Sequence, residues 1–134
     1  MSEQELFEEL SARLPYGVKV DVLGVECTLS GVYKDYKGVW RIVADCEEGR
    51  HYDTPLDNCK MYLRPTKKMT DREKGEAKSI GKSCIYHPSI KSGIKLLAWN
   101  VVKIPKFIYK HHLDVNGLIE QGDAYEAPED MYKF

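Results

Sequence analysis

The chain has 134 residues, 43% of them apolar and 31% charged, with a formal net charge of −1. That length and mix suit one domain around one hydrophobic core, and a near-neutral total is weak support for a nucleic-acid binder, whose domain is usually strongly basic. No apolar run approaches the roughly 20 residues of a membrane helix, and the acidic start Met1-Ser2-Glu3-Gln4-Glu5 lacks the apolar core of an export signal. Cys27, Cys46, Cys59 and Cys84 are therefore expected as reduced thiols of a cytoplasmic protein.

Residues 2 to 14 are predicted to form a helix. Ser2 and Glu5 have capping-box spacing, Leu6, Phe7, Leu10 and Leu14 share a face, and Pro15 with Gly17 ends the run. Residues 18 to 23 alternate as a half-buried strand, with Val18, Val20 and Val22 on one side. Gly24 marks a turn, and 25 to 33 continues the pattern with Gly31 as a bend or bulge. Asp35-Tyr36-Lys37-Gly38 signals the next turn, making a hairpin with a strand over 39 to 44. Further short strands are predicted over 50 to 54 and 60 to 64, separated by a loop at 55 to 58.

Thr70 starts a second helix, because Thr70 and Glu73 repeat the capping-box spacing. It runs to about Ile80, with Gly81 as C-cap. A short strand is predicted around Cys84-Ile85-Tyr86, a turn at Ser92-Gly93 and a strand over 94 to 99. Asn100 then caps a helix over 101 to 112, which Pro105 would disturb at its fifth position. One helix over 94 to 112 is the competing reading. The rest has loop signals at Asn116-Gly117, Gly122 and Pro128. The expected fold is α+β in a single domain: an N-terminal helix, a curved antiparallel sheet of about five strands that can close as a small barrel, then C-terminal helices and an extended tail. The helix-plus-sheet half covers 1 to 65 and the helical half 66 to 134.

Charge is segregated along the chain. Residues 1 to 59 carry 6 basic and 12 acidic side chains, residues 60 to 110 carry 13 and 3, and residues 111 to 134 carry 1 and 6. The simpler reading is mutual neutralisation, with acidic ends over a basic middle. The sharper one is a basic surface at Arg64, Lys67, Lys68, Arg72, Lys74, Lys78 and Lys82 for an acidic partner or for nucleic acid. Tyr33, Tyr36 and Trp40 on the hairpin have rings that stack bases, although aromatics in strands are more often core.

Other chemistry is poorly supported. Gly75 to Ser83 approaches a P-loop, but five residues separate Gly75 from Gly81 and Glu76 stands where the first glycine is needed. Cys46, His51, Cys59, Cys84 and His87 offer zinc ligands without the paired spacing of a zinc site. His111, His112 and Asp114 read as a helix C-terminus and turn, with imidazole at the negative dipole end. No cofactor, metal or catalytic residue is assigned.

Four patches carry a resemblance. They are Ala12-Arg13-Leu14-Pro15-Tyr16-Gly17-Val18; Tyr62-Leu63-Arg64-Pro65 with Met69-Thr70; His111-His112-Leu113-Asp114 with Gly117-Leu118-Ile119; and Glu126-Ala127-Pro128 with Met131-Tyr132. In that order the chain resembles a group of small uncharacterised proteins of gut Bacteroidetes, their phages and integrated elements. The stretch from Lys82 to Lys103 matches least. The resemblance implies an intracellular, mobile-element-associated protein, and no catalytic residue is carried over from it. The expected function is a non-enzymatic interaction or accessory protein that binds a protein partner through its hairpin or tail. The alternative is a nucleic-acid-binding accessory protein using the basic segment 60 to 110.

Overall fold

A computed structural model describes residues 2–80, 84–85, 95–96 and 103–132. The chain divides into two compact units, Met1–Tyr62 with Asp123–Tyr125, and Leu63–Gly122 with Glu126–Phe134.

The first unit opens with helix α1 (Glu3–Arg13), whose cap is the one expected: the Ser2 hydroxyl accepts from the Glu5 amide at 3.1 Å. Leu10 is fully buried, and Arg13 is buried with its guanidinium paired to Glu9 one turn back. A single 3-10 turn, Leu14–Tyr16, ends at Gly17 with φ +69°, the left-handed conformation that glycine takes without cost. Strands β1 (Lys19–Val22), β2 (Val25–Lys34), β3 (Trp40–Asp45), β4 (His51–Pro55) and β5 (Cys59–Pro65) follow, in the order β4-β3-β2-β1-β5 and antiparallel throughout.

The alternation read from the sequence holds: Val20, Val22, Ile42 and Ala44 are buried while Lys19 and Asp21 are only half-buried. The register shifts between Leu29 and Gly31, so the expected irregularity at Gly31 is a bulge in β2. Leu23 and Gly24 form the two-residue connection of β1 to β2, and both have positive φ, 52° and 88°. The sheet is open, not barrel-closed: among the described residues, β4 pairs only with β3. Phe7 of α1 lies 4.1 Å from Trp40 between ring centroids, which anchors the helix on the sheet.

The second unit takes the end of β5 from Leu63, a 3-10 turn at Thr66–Lys68, α2 (Asp71–Ile80), β6 (Cys84–Ile85), β7 (Lys95–Leu96), α3 (Lys103–Lys110), β8 (Leu113–Asp114), α4 (Leu118–Gln121) and the end of β9 (Ala124–Glu126). Both halves of the second capping box form: the Glu73 amide donates to Thr70 Oγ1 at 3.1 Å, and the Thr70 amide to Glu73 Oε1 at 3.0 Å. The predicted caps Gly81 and Asn100 and the turn at Ser92-Gly93 lie outside the described residues. A strand at Lys95–Leu96, antiparallel to β6, replaces the single-helix reading of 94 to 112.

The helix predicted over 101 to 112 is described over Lys103–Lys110, and residues 101 and 102 lie outside the described residues. Pro105 lies within the described part of that helix. Met69, Ala77, Phe107, Ile108 and Leu113 form the unit's core.

The tail is less extended than the sequence suggested. Leu113–Asp114 pairs parallel with Arg64 and Pro65, and β9 pairs with β5. The Ala127 amide donates to the Leu63 carbonyl at 2.8 Å. Two left-handed glycines, Gly117 and Gly122, bracket the single turn α4. The landmark Tyr62-Leu63-Arg64-Pro65 is structural. Leu63 is fully buried, Tyr62 is half-buried with its ring 5.6 Å from that of Tyr125, and Pro65 is the last residue of β5.

Candidate interaction surface

The predicted basic surface is only partly available. Arg64 turns inward on a bidentate pair with Glu73, at 2.5 Å from Nη2 to Oε1 and 2.6 Å from Nη1 to Oε2, and Nη1 also donates to the His111 carbonyl at 3.0 Å. Glu73, with 2% of its side chain exposed, has His111 Nδ1 at 2.8 Å as well, and Glu76 stands 3.4 Å from the other imidazole nitrogen. Burial works against the Glu73 carboxylate, but the bonds from Arg64, His111 and the Thr70 amide outweigh it and hold its carboxyl well below the usual range. Lys68 is ion-paired with Glu126 of the tail at 3.3 Å. Lys67, Arg72 and Lys78 are exposed, Lys74 is half-buried, and Lys82 lies outside the described residues.

The other sequence candidates also disperse. His111 faces Glu73 while the His112 ring stacks on Tyr132 at 3.8 Å, so the adjacent imidazoles serve different contacts. His112 holds φ +56° just past α3, a conformation that histidine tolerates better than most residues, and its carbonyl accepts from the Arg64 amide at 2.8 Å. Asp114 caps α4 by accepting from the Leu118 and Ile119 amides at 2.8 and 3.0 Å. Among the described residues no three His, Cys, Asp or Glu side chains stand as a metal-binding group, and His51 pairs with Asp45. The Cys84 and His87 side chains and the residues from Gly81 to Ser83 lie outside the described set.

The hairpin joining β2 and β3 offers a surface instead. Asp35 builds its tip: its carboxylate accepts from the Lys37 and Val39 amides, each at 2.9 Å, and its carbonyl from the Gly38 amide at 3.0 Å. Gly38 closes the turn at φ +81°. On this braced loop Tyr36 is 93% exposed, with Tyr33 and Val39 at 36% and 38% beside it. Lys34 Nζ lies 4.7 Å from the Trp40 ring and Lys37 Nζ 5.7 Å from that of Tyr36.

A ladder runs behind the tip. The Tyr33 hydroxyl donates to the Asp53 carboxylate at 2.6 Å, while Arg41 holds Asp53 through Nε at 2.8 Å and its carbonyl through Nη2 at 2.9 Å. The Tyr33 bond, then the Arg41 bond, lowers the Asp53 carboxyl from its ordinary value. The concavity in front of these residues measures about 790 Å³. Sequence reasoning treated the three hairpin aromatics alike, and the structure separates them. Trp40 packs on Phe7, whereas Tyr36 sits in the turn itself, where no neighbouring strand covers it. The turn signal that located residues 35 to 38 was the available clue to that exposure.

Comparison with protein-family models, curated proteins and solved structures finds no significant match.

Proposed function

We infer that the protein is a non-enzymatic interaction module that binds a protein partner through the tip of the β2–β3 hairpin. One observation carries this reading: a tyrosine 93% exposed on a turn already fixed by its own hydrogen bonds. Tyrosine presents a large amphipathic area with few torsions to freeze, and bracing the loop beforehand removes much of the ordering cost of association. Burying Tyr36 with Tyr33 and Val39 supplies the apolar centre of a small interface, and Lys34 and Lys37 give it a cationic rim.

Nucleic acid is the second reading, carried by the exposure of Lys67, Arg72 and Lys78. It is weakened because Arg64 and Lys68 are matched by carboxylates. The mobile-element setting rests on the sequence resemblance. The test is affinity capture from a native host with the wild-type chain and with Tyr36→Ala. A partner retained by the first and lost by the second supports the reading. Equal recovery by both baits, or a shift of DNA or RNA at low salt with no protein captured, counts against it.

A further inference from the structure

Two cysteines face each other across the β2–β3 ladder. Thr28 pairs with Asp45, and Leu29 with Ala44, so the next step of the same register sets Cys27 opposite Cys46. Both stand on the core side, since Cys27 and Leu29 are buried in β2 and Ile42 and Ala44 in β3. The hydrogen bonds show what kind of pair this is. The Cys46 amide donates to the Arg50 carbonyl at 3.0 Å and its carbonyl accepts from Gly49 at 3.1 Å, so its backbone points toward the β3–β4 turn and away from β2. On the other strand, the Leu29 amide donates to Val18 at 3.0 Å, which by alternation turns the Cys27 backbone toward β1.

Cys27 and Cys46 therefore stand one step past the Thr28–Asp45 end of the β2–β3 ladder, where continuing the pattern gives a non-hydrogen-bonded position. At such positions opposed Cα atoms approach to about 4.5 Å, inside the span that a disulfide bridges. We propose that Cys27 and Cys46 form a cross-strand dithiol that a low-molecular-weight disulfide converts to an intramolecular disulfide.

The two thiols differ in access. Cys46 is half-buried, and Cys27 is buried with its thiol donating weakly to the Val25 carbonyl at 3.5 Å. Burial first, and then the neighbouring Cys46, pushes the Cys27 thiol up, which makes it the poorer initial nucleophile of the two. The Cys46 thiolate attacks one sulfur of the small disulfide RSSR, forming Cys46–S–SR and releasing RS⁻, which takes up a proton. The Cys27 thiol then gives its proton to solvent, and its sulfur, leaving the Val25 carbonyl, attacks Cys46 Sγ and expels the second RS⁻. Two protein thiols are oxidised and one RSSR is reduced to two RSH. Cys59 on β5 is buried and takes no part.

The test exposes the folded full-length chain, carrying Cys84→Ser, to oxidised glutathione, quenches by alkylation and maps disulfides by mass spectrometry. The expected product has lost two hydrogens, links the Cys27 and Cys46 peptides, and leaves Cys59 more than about nine-tenths alkylated after unfolding. Cys27→Ser should arrest at the Cys46–glutathione mixed disulfide. Cys46→Ser, altered at a half-buried turn, should yield no bridge at Cys27 and keeps the test independent of core packing. A mixed disulfide persisting at Cys46 in the chain with both thiols, a bridge to Cys59, or no reaction at Cys46 overturns the proposal.

Discussion

Replacing Arg64 with alanine removes the guanidinium that neutralises Glu73, and the consequence can be bounded from the geometry. The Glu73 side chain is 2% exposed and the two partners make two short parallel bonds, at 2.5 and 2.6 Å. Breaking a buried pair by deleting one side strands the other charge, which typically costs about 3–5 kcal/mol. Here His111 and the Thr70 amide still bond the carboxylate, so the lower end, about 3 kcal/mol, applies. Urea unfolding followed by far-UV circular dichroism measures it as a fall in the midpoint at constant slope.

Glu73→Gln added to Arg64→Ala should restore part of the loss, with a coupling of about 1–3 kcal/mol in the double-mutant cycle. The pH dependence has a fixed sign. The Glu73 carboxyl is depressed in the folded state, so the unfolded chain binds its proton first as the pH falls. The stabilisation is whole above the unfolded value near pH 4.3, falls as the pH drops below it, and continues to fall toward the depressed folded value. Glu73→Gln should flatten that acid limb. A cost below about 1 kcal/mol for Arg64→Ala, with an unchanged acid limb in Glu73→Gln, would refute the reading that the Arg64–Glu73 pair contributes to stability.

Three further outcomes are expected. Leu23 is 65% exposed and held at φ +52° in the β1–β2 turn, so Leu23→Asn should raise stability by about 1 kcal/mol, read as a higher melting temperature. Thr70→Ala should lose about 1 kcal/mol by uncapping α2 while Thr70→Ser stays close to the parent, both read by urea denaturation. Burial, followed by Asp21, pushes the Cys59 thiol up to about 12. Its thiolate at neutral pH is then roughly 10³-fold scarcer than that of an ordinary cysteine, and iodoacetamide should label Cys46 long before Cys59. Equal labelling rates in the folded protein would contradict the burial of Cys59.

Features written in short-range chemistry were legible in the sequence. Ser2 and Thr70 cap helices because capping needs only residues three apart, and the alternation of Val20 and Val22 needs only one strand. Gly31 was visible as a break in that alternation. Arg64, Glu73 and His111 were not legible as a group: Glu73 and the His111 carbonyl lie 9 and 47 residues from Arg64, and no local pattern links them. The charge count therefore placed Arg64 on a basic surface, although its half-buried guanidinium is held against the buried Glu73 carboxylate. The two- and three-residue strands Leu113–Asp114 and Ala124–Glu126 are too short to show a period, and their pairing with β5 gives the tail order that its two glycines and single proline conceal.

The most direct test of hairpin-mediated partner binding places a photo-crosslinking amino acid at position 36 and irradiates the native host. The same probe at Glu48, an exposed turn residue outside the hairpin tip, serves as control. The expected result is one discrete protein adduct from position 36 and none from position 48. No adduct at position 36, an identical pattern at both sites, or nucleic acid as the only crosslinked species would contradict it.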